Sequence, residues 1–193
     1  DINKGDDRDE EYRSRLVAKE IKKDNREDLF AATPPLEAKK MLFSMAMTGN
    51  KDRARPLKLD FIDVRRAYFH AKARREVYIE LPEEDKEEGM CGKLVKSMYG
   101  TRDAAHNWEE EYSGFMEKIG FKRGIGSPCV FHHEAKQLIA VIHGDDFTML
   151  GSEEDLDWFR NQIVKRFEVK FRARLGPEQG DDKAVRILNR VVE

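Results

Sequence analysis

From Leu138 to Leu150 the chain reads Leu-Ile-Ala-Val-Ile-His-Gly-Asp-Asp-Phe-Thr-Met-Leu, an apolar run broken by a glycine and two adjacent carboxylates. Two short apolar segments joined through glycine predict a hairpin of strands 138–143 and 147–150, with Gly144 in the turn and Asp145 and Asp146 at its tip. Further strand-like runs cover 57–62, 77–81, 129–133 and 185–192. Between them the apolar spacing lengthens to that of a helix. Thr33-Pro34-Pro35 opens one helix through Leu36, Met41, Leu42, Met45 and Ala46, with Gly49 beyond its end. Asp103 caps a second, whose Trp108, Tyr112, Phe115, Met116 and Ile119 share a face and which Gly120 stops. Ser152, followed by Asp155, opens a third carrying Leu156, Phe159, Ile163 and Phe167. Strands and helices in this order predict an α+β fold, with helices packed on one face of an antiparallel sheet. The aromatic and methionine stripes are read as core.

Composition narrows the setting. A chain of 193 residues suffices for one domain with a substantial core. Charged residues make up 38% and the formal net charge is -2, which taken alone argues against a nucleic-acid partner. The distribution argues the other way, because basic residues cluster at 13–26, 65–75 and 165–174 while acidic ones gather at 6–11, 80–88 and 109–111. Segregated charge engages a phosphate backbone despite a negative total. Cys91 and Cys129 are isolated, and no apolar run has transmembrane length or signal-peptide form, so the expectation is an intracellular setting without a membrane partner. Residues 1–11 are polar enough to be expected as a disordered acidic tail.

Two neighbouring anions in an apolar run call for a cation, and Mg²⁺ suits one or two carboxylates together with substrate phosphates. A two-ion site needs a further carboxylate from another strand. Asp63 is the candidate, since it follows the strand-like 57–62. The tripeptide alone is a weak signal: Gly180-Asp181-Asp182 repeats it within a polar stretch, where a solvated turn is expected. His132 and His133 are neighbours on a strand and point to opposite faces, so they are read as a solvated pair rather than a metal site.

Several segments together resemble a known family. Asp63-Val64-Arg65-Arg66-Ala67-Tyr68 is similar to the first catalytic motif of reverse transcriptases, and Ile142-His143-Gly144-Asp145-Asp146 to the second. Between them, 93–108 resembles the "KSLYGLKQAPRAW" segment of copia-type LTR retrotransposons, and Glu76 to Pro82 resembles "EVYMEQPEG". Upstream, Tyr12 to Lys19 resembles "YKARLVAKG". Ala105 stands where proline is usual, Thr101 where leucine is usual, and His143-Gly144 where tyrosine-valine is usual.

The resemblance implies an RNA-directed DNA polymerase with a palm sheet and partial fingers over 12–193, lacking thumb, connection and RNase H. It implies Asp63 and Asp145 as metal-bridging carboxylates with Asp146 as their auxiliary, and two Mg²⁺ ions, or Mn²⁺ in their place. Tyr68 would be the aromatic gate that excludes a ribose hydroxyl, Arg15 a triphosphate contact with Arg13 as the fallback, and Gly100 a point of close approach to template and nucleotide. The implied partners are an RNA template, a DNA primer, deoxynucleoside triphosphates, and the integrase and RNase H of the same polyprotein. The implied location is a cytoplasmic virus-like particle or the nucleus. The alternatives are a catalytically silent nucleic-acid-binding remnant of such an element, and an RNA polymerase, for which a glycine before the two aspartates is typical.

Overall fold

The computed structural model describes residues 2–3, 12–13, 16–21, 29, 31–49, 55–187 and 190–193. In chain order the described elements begin with β1 (Ile2–Asn3), β2 (Tyr12–Arg13), α1 (Leu36–Thr48) and β3 (Lys58–Val64). A short 3-10 turn (Ala67–His70), β4 (Tyr78–Ile79) and β5 (Gly92–Lys93) lead to α2 (Ala104–Lys118). Next come β6 (Lys122–Arg123), β7 (Val130–His133), β8 (Leu138–His143), β9 (Asp146–Gly151) and α3 (Glu153–Ile163). The last are β10 (Val169–Leu175), β11 (Val185–Ile187) and β12 (Arg190–Val192).

Six strands form one antiparallel sheet in the order β10-β3-β9-β8-β7-β6. The side chains of its central strands alternate between two apolar clusters. Ile62, Val64, Ile142, Phe147 and Met149 join Trp108, Tyr112 and Met116 of α2 and Leu156, Phe159 and Ile163 of α3. Leu59, Phe61, Val141 and Leu150 join Leu42 and Ala46 of α1 and Val185 and Ile187 of β11. The expectation of helices on one face is therefore corrected: α2 and α3 cover one face and α1 covers the other. The sequence carries the reason, since β8 is apolar at five consecutive positions and buries both of its faces.

Local chemistry sets the helix ends. Helix α1 follows Pro35 and stops at Gly49, as the sequence predicts. Gly120, at φ 99°, closes α2 in a Schellman turn, its N–H donating to the Glu117 carbonyl and that of Phe121 to the Met116 carbonyl, each at 3.0 Å. Ser152 caps α3 by accepting from the Asp155 N–H and donating to its carboxylate. Asp103 precedes α2 without capping it, because its carboxylate accepts from Arg75 and Asn107 instead.

Strand 138–143 lies where expected, and β9 starts one residue earlier than its prediction. The 185–192 run splits into the β11–β12 ribbon, and 77–81 contributes the two residues of β4. Strand β10 was not anticipated. Its Val-Lys-Phe-Arg-Ala-Arg-Leu alternates strictly, with the basic positions sharing one parity. A bulge between Phe171 and Ala173 sets Arg172 outside the ladder. The expected tail 1–11 lies outside the described residues except Ile2–Asn3, which pairs with Tyr12–Arg13.

Candidate functional site

Register brings the first aspartate to the hairpin. Asp63 lies opposite Asp146 on one side of β3 and opposite Lys170 on the other. One residue on, the Val64 N–H donates to the Asp145 carbonyl at 2.9 Å. Gly144 takes φ 62° in the turn, as its place in a two-residue connection requires. Its carbonyl accepts from the Trp108 indole Nε1–H at 2.9 Å, which ties the tip to α2.

The β3 end, the hairpin tip and the start of β10 enclose a cleft of about 590 Å³. Asp63 and Asp145 line it together with Arg65, Arg66, Lys170 and Tyr99. Glu168 lines it too and pairs with both Arg65 and Arg66, holding their side chains beside the carboxylates. Burial first and the Asp145 charge second push the Asp63 carboxyl up from its ordinary pKa, against the pull of Arg172, Lys170 and Arg65. Asp146 is likewise raised by burial and by Asp145, and opposed by Lys39 and Arg172. Burial and the neighbouring Asp145 charge thus disfavour the ionised forms of Asp63 and Asp146, a cost that a cation would offset, and these carboxylates offer only hard oxygen donors. That donor set fits Mg²⁺ or Mn²⁺.

The three aspartates are not equivalent. Asp146 does not line the cleft; its Oδ1 lies 3.5 Å from Arg172 Nη1, and its side chain is 18% exposed. Among the described residues, the acidic trio whose oxygens converge within 4.8 Å is Glu153, Glu178 and Asp181. Lys58 Nζ already occupies its centre, at 3.1, 2.6 and 2.8 Å respectively. The second Gly-Asp-Asp is a turn, as expected, yet Asp181 is buried against Lys58 rather than solvated.

Tyr68 is half-buried and does not line the cleft; its ring centroid lies 4.5 Å from that of Tyr99, which does. Tyr99 had no role assigned from sequence, because nothing along the chain signals that 68 and 99 meet. Gly100 has φ 91°, and a Cβ there would stand 1.8 Å from the Ala18 carbonyl oxygen. At Gly100 the chain's own segment 16–21 makes a close backbone approach, and its Ala18 N–H donates to the Tyr99 carbonyl at 2.7 Å. Arg15 lies outside the described residues. His132 is exposed as expected, whereas His133 packs edge-on against Phe121 and Trp158.

A family model described as "Reverse transcriptase (RNA-dependent DNA polymerase)" matches residues 2–178. The chain belongs to that family. This reverse transcriptase chain is 27% identical over 178 residues to the "Retrovirus-related Pol polyprotein from transposon TNT 1-94" of Nicotiana tabacum, covering 87% of this chain and 13% of that polyprotein. It is 25% identical over 166 residues to the "Retrovirus-related Pol polyprotein from transposon RE1" of Arabidopsis thaliana, covering 82% and 11%. To the "Transposon Ty1-DR4 Gag-Pol polyprotein" of Saccharomyces cerevisiae it is 24% identical over 118 residues, covering 59% and 7%. These relatives place it with copia-type retrotransposon reverse transcriptases. The chain spans 13% or less of the length of each.

Proposed function

We propose that the chain is the RNA-directed DNA polymerase segment of a retrotransposon Pol polyprotein, adding deoxynucleotides to a primer 3′-hydroxyl on an RNA template. The observation that carries this reading is the meeting of Asp63 and Asp145, from two separate family motifs, in one cleft ringed by Arg65, Arg66 and Lys170. Asp63 and Asp145 would hold Mg²⁺ or Mn²⁺, with Asp146 next to them outside the cleft, and the ion when bound would activate the primer hydroxyl and neutralise charge on the triphosphate.

The chain's own work is placement. Trp108 and Val64 fix the hairpin tip in register with β3, and the basic rim attracts the phosphates of template and primer. The Tyr68 and Tyr99 rings, tilted against each other with centroids 4.5 Å apart, would form an aromatic wall for selection at the sugar, with Tyr68 acting through Tyr99. The six-stranded sheet with α2 and α3 would be the palm, and segment 16–21 with β4 and β5 part of the fingers. Integrase and RNase H segments of the same polyprotein are the expected partners, in a cytoplasmic particle or the nucleus.

Primer extension on an RNA template with Mg²⁺ and deoxynucleotides tests the proposal. Asp63→Asn and Asp145→Asn are each expected to lower incorporation by about 100-fold or more. Incorporation that either substitution leaves unchanged overturns it. Salt-dependent binding to an RNA–DNA hybrid without any extension would instead select the silent remnant.

A further inference from the structure

On the face of the sheet that α1 covers, near the aspartate hairpin, lies a cation with no part in the chemistry described above. Lys39 is 4% exposed, and its Nζ is buried without a hydrogen-bond partner. It stands one turn before Leu42 and two before Ala46, which share a cluster with Val141 of β8 and Leu150 of β9. Toward the hairpin tip, the next positions on that sheet face are His143, its ladder partner Asp146, and Asp63, which pairs with Asp146 between β3 and β9. Helix α1 therefore delivers the Lys39 ammonium to the face that Asp146 shares with Asp63, where Asp63 lines the cleft and Asp146 does not. The electrostatics agree: burial lowers the Lys39 pKa and the Asp146 charge opposes the drop, while burial and then the Lys39 charge lower His143. An ammonium buried without a hydrogen bond is costly, and its retention calls for a charge on which it acts.

We propose that Lys39 is a positioning residue for the candidate metal centre: together with Arg172 it draws the Asp146 carboxylate toward α1 and out of the cleft, leaving Asp63 and Asp145 to face the cation. The inference rests on reading Asp63 and Asp145 as cation ligands. Two consequences follow from one charge. Asp146 is withheld as a ligand, and positive charge stands beside the site. Both loosen the grip on a divalent ion, because carboxylate count and local charge set that affinity.

Mn²⁺ binding to the full 193-residue chain, read from the electron paramagnetic resonance signal of free Mn²⁺, tests this without catalysis. Lys39→Met removes the charge at similar length, and Lys39→Gln removes it with a polar end, so a folding defect in one leaves the other informative. Both are expected to bind Mn²⁺ about fivefold tighter or more, whereas Lys39→Arg matches the wild-type chain. In an Asp146→Asn background, Lys39→Met is expected to lose most of that gain. Affinities of both charge-removing variants within about twofold of wild type, or a gain equally large without the Asp146 carboxylate, overturn the role of Lys39. Wild-type Mn²⁺ binding that is indifferent to Asp63→Asn is a separate failure: it overturns the metal-centre reading, and the role of Lys39 with it.

Discussion

Trp108 is 1% exposed in the core, yet its one polar atom reaches out of that core to the Gly144 carbonyl. A buried indole N–H usually finds a partner, and here the partner is the turn that carries Asp145. Trp108→Phe keeps a ring against Tyr112 and Phe167 while deleting the bond. It is expected to cost about 1–3 kcal/mol in urea unfolding, and to lower primer extension by about tenfold or more through a displaced tip. Extension equal to wild type would show that the tip holds its place without the indole. The sequence marks Trp108 as a core position on a helical face, and the structure agrees. Its bond to Gly144 was not legible, since it is made by a tertiary crossing between α2 and the hairpin. Lys39 was hidden for a related reason. A lysine on a terminal helical turn reads as surface, and only the packing of α1 on β8 and β9 turns it inward.

At the scale of elements, the loop after β10 behaves as a clasp closed by charge. Burial raises the Asp181 carboxyl, but the Lys58 ammonium and the Glu178 N–H outweigh it and hold Asp181 below its ordinary pKa. A carboxylate with a lowered folded-state pKa contributes stability that is present above the unfolded value, about 3.9, and lost as pH falls through the folded one. Asp181→Asn is therefore expected to cost about 1–3 kcal/mol at neutral pH, with the difference from wild type shrinking as pH drops below about 4. Urea unfolding at the two pH values measures it, and a penalty undiminished in acid would mean the loop is held by something other than this charge. The turn at Gly180-Asp181-Asp182 was legible along the chain but the burial of Asp181 was not, because Lys58 approaches from a remote strand. Strand β10 was equally concealed: Lys170, Arg172 and Arg174 read as a basic cluster, although the same alternation defines a strand edge. The hairpin at 138–150 was legible because both its strands and its turn residue signal locally.

For the whole molecule, the deciding fact is a sheet with apolar chemistry on both faces. Leu42 of α1 and Phe159 of α3 are each fully buried on opposite sides of it. Their truncations, Leu42→Ala and Phe159→Ala, are expected to cost about 2–5 and 3–5 kcal/mol, each within a single unfolding transition, because both faces share the same strands. Calorimetry that resolves two transitions in either variant would divide the molecule into independent layers. Asp60 reinforces the unity, accepting paired hydrogen bonds from Arg160 of α3 and Arg174 of β10 at 2.7–2.9 Å. The α+β class was legible from the mixture of periods; the second covered face was not, because a continuous apolar run does not say what lies on either side of it. One contact ties the periphery to the centre. Ala18 grips the Tyr99 carbonyl and leaves no volume for a side chain at Gly100, so segment 16–21 and the tyrosine that walls the cleft share a backbone strap. A shift of that strap is a shift of the wall: the aperture beside Asp63 and Asp145 is set partly by residues far away in the chain that touch neither carboxylate.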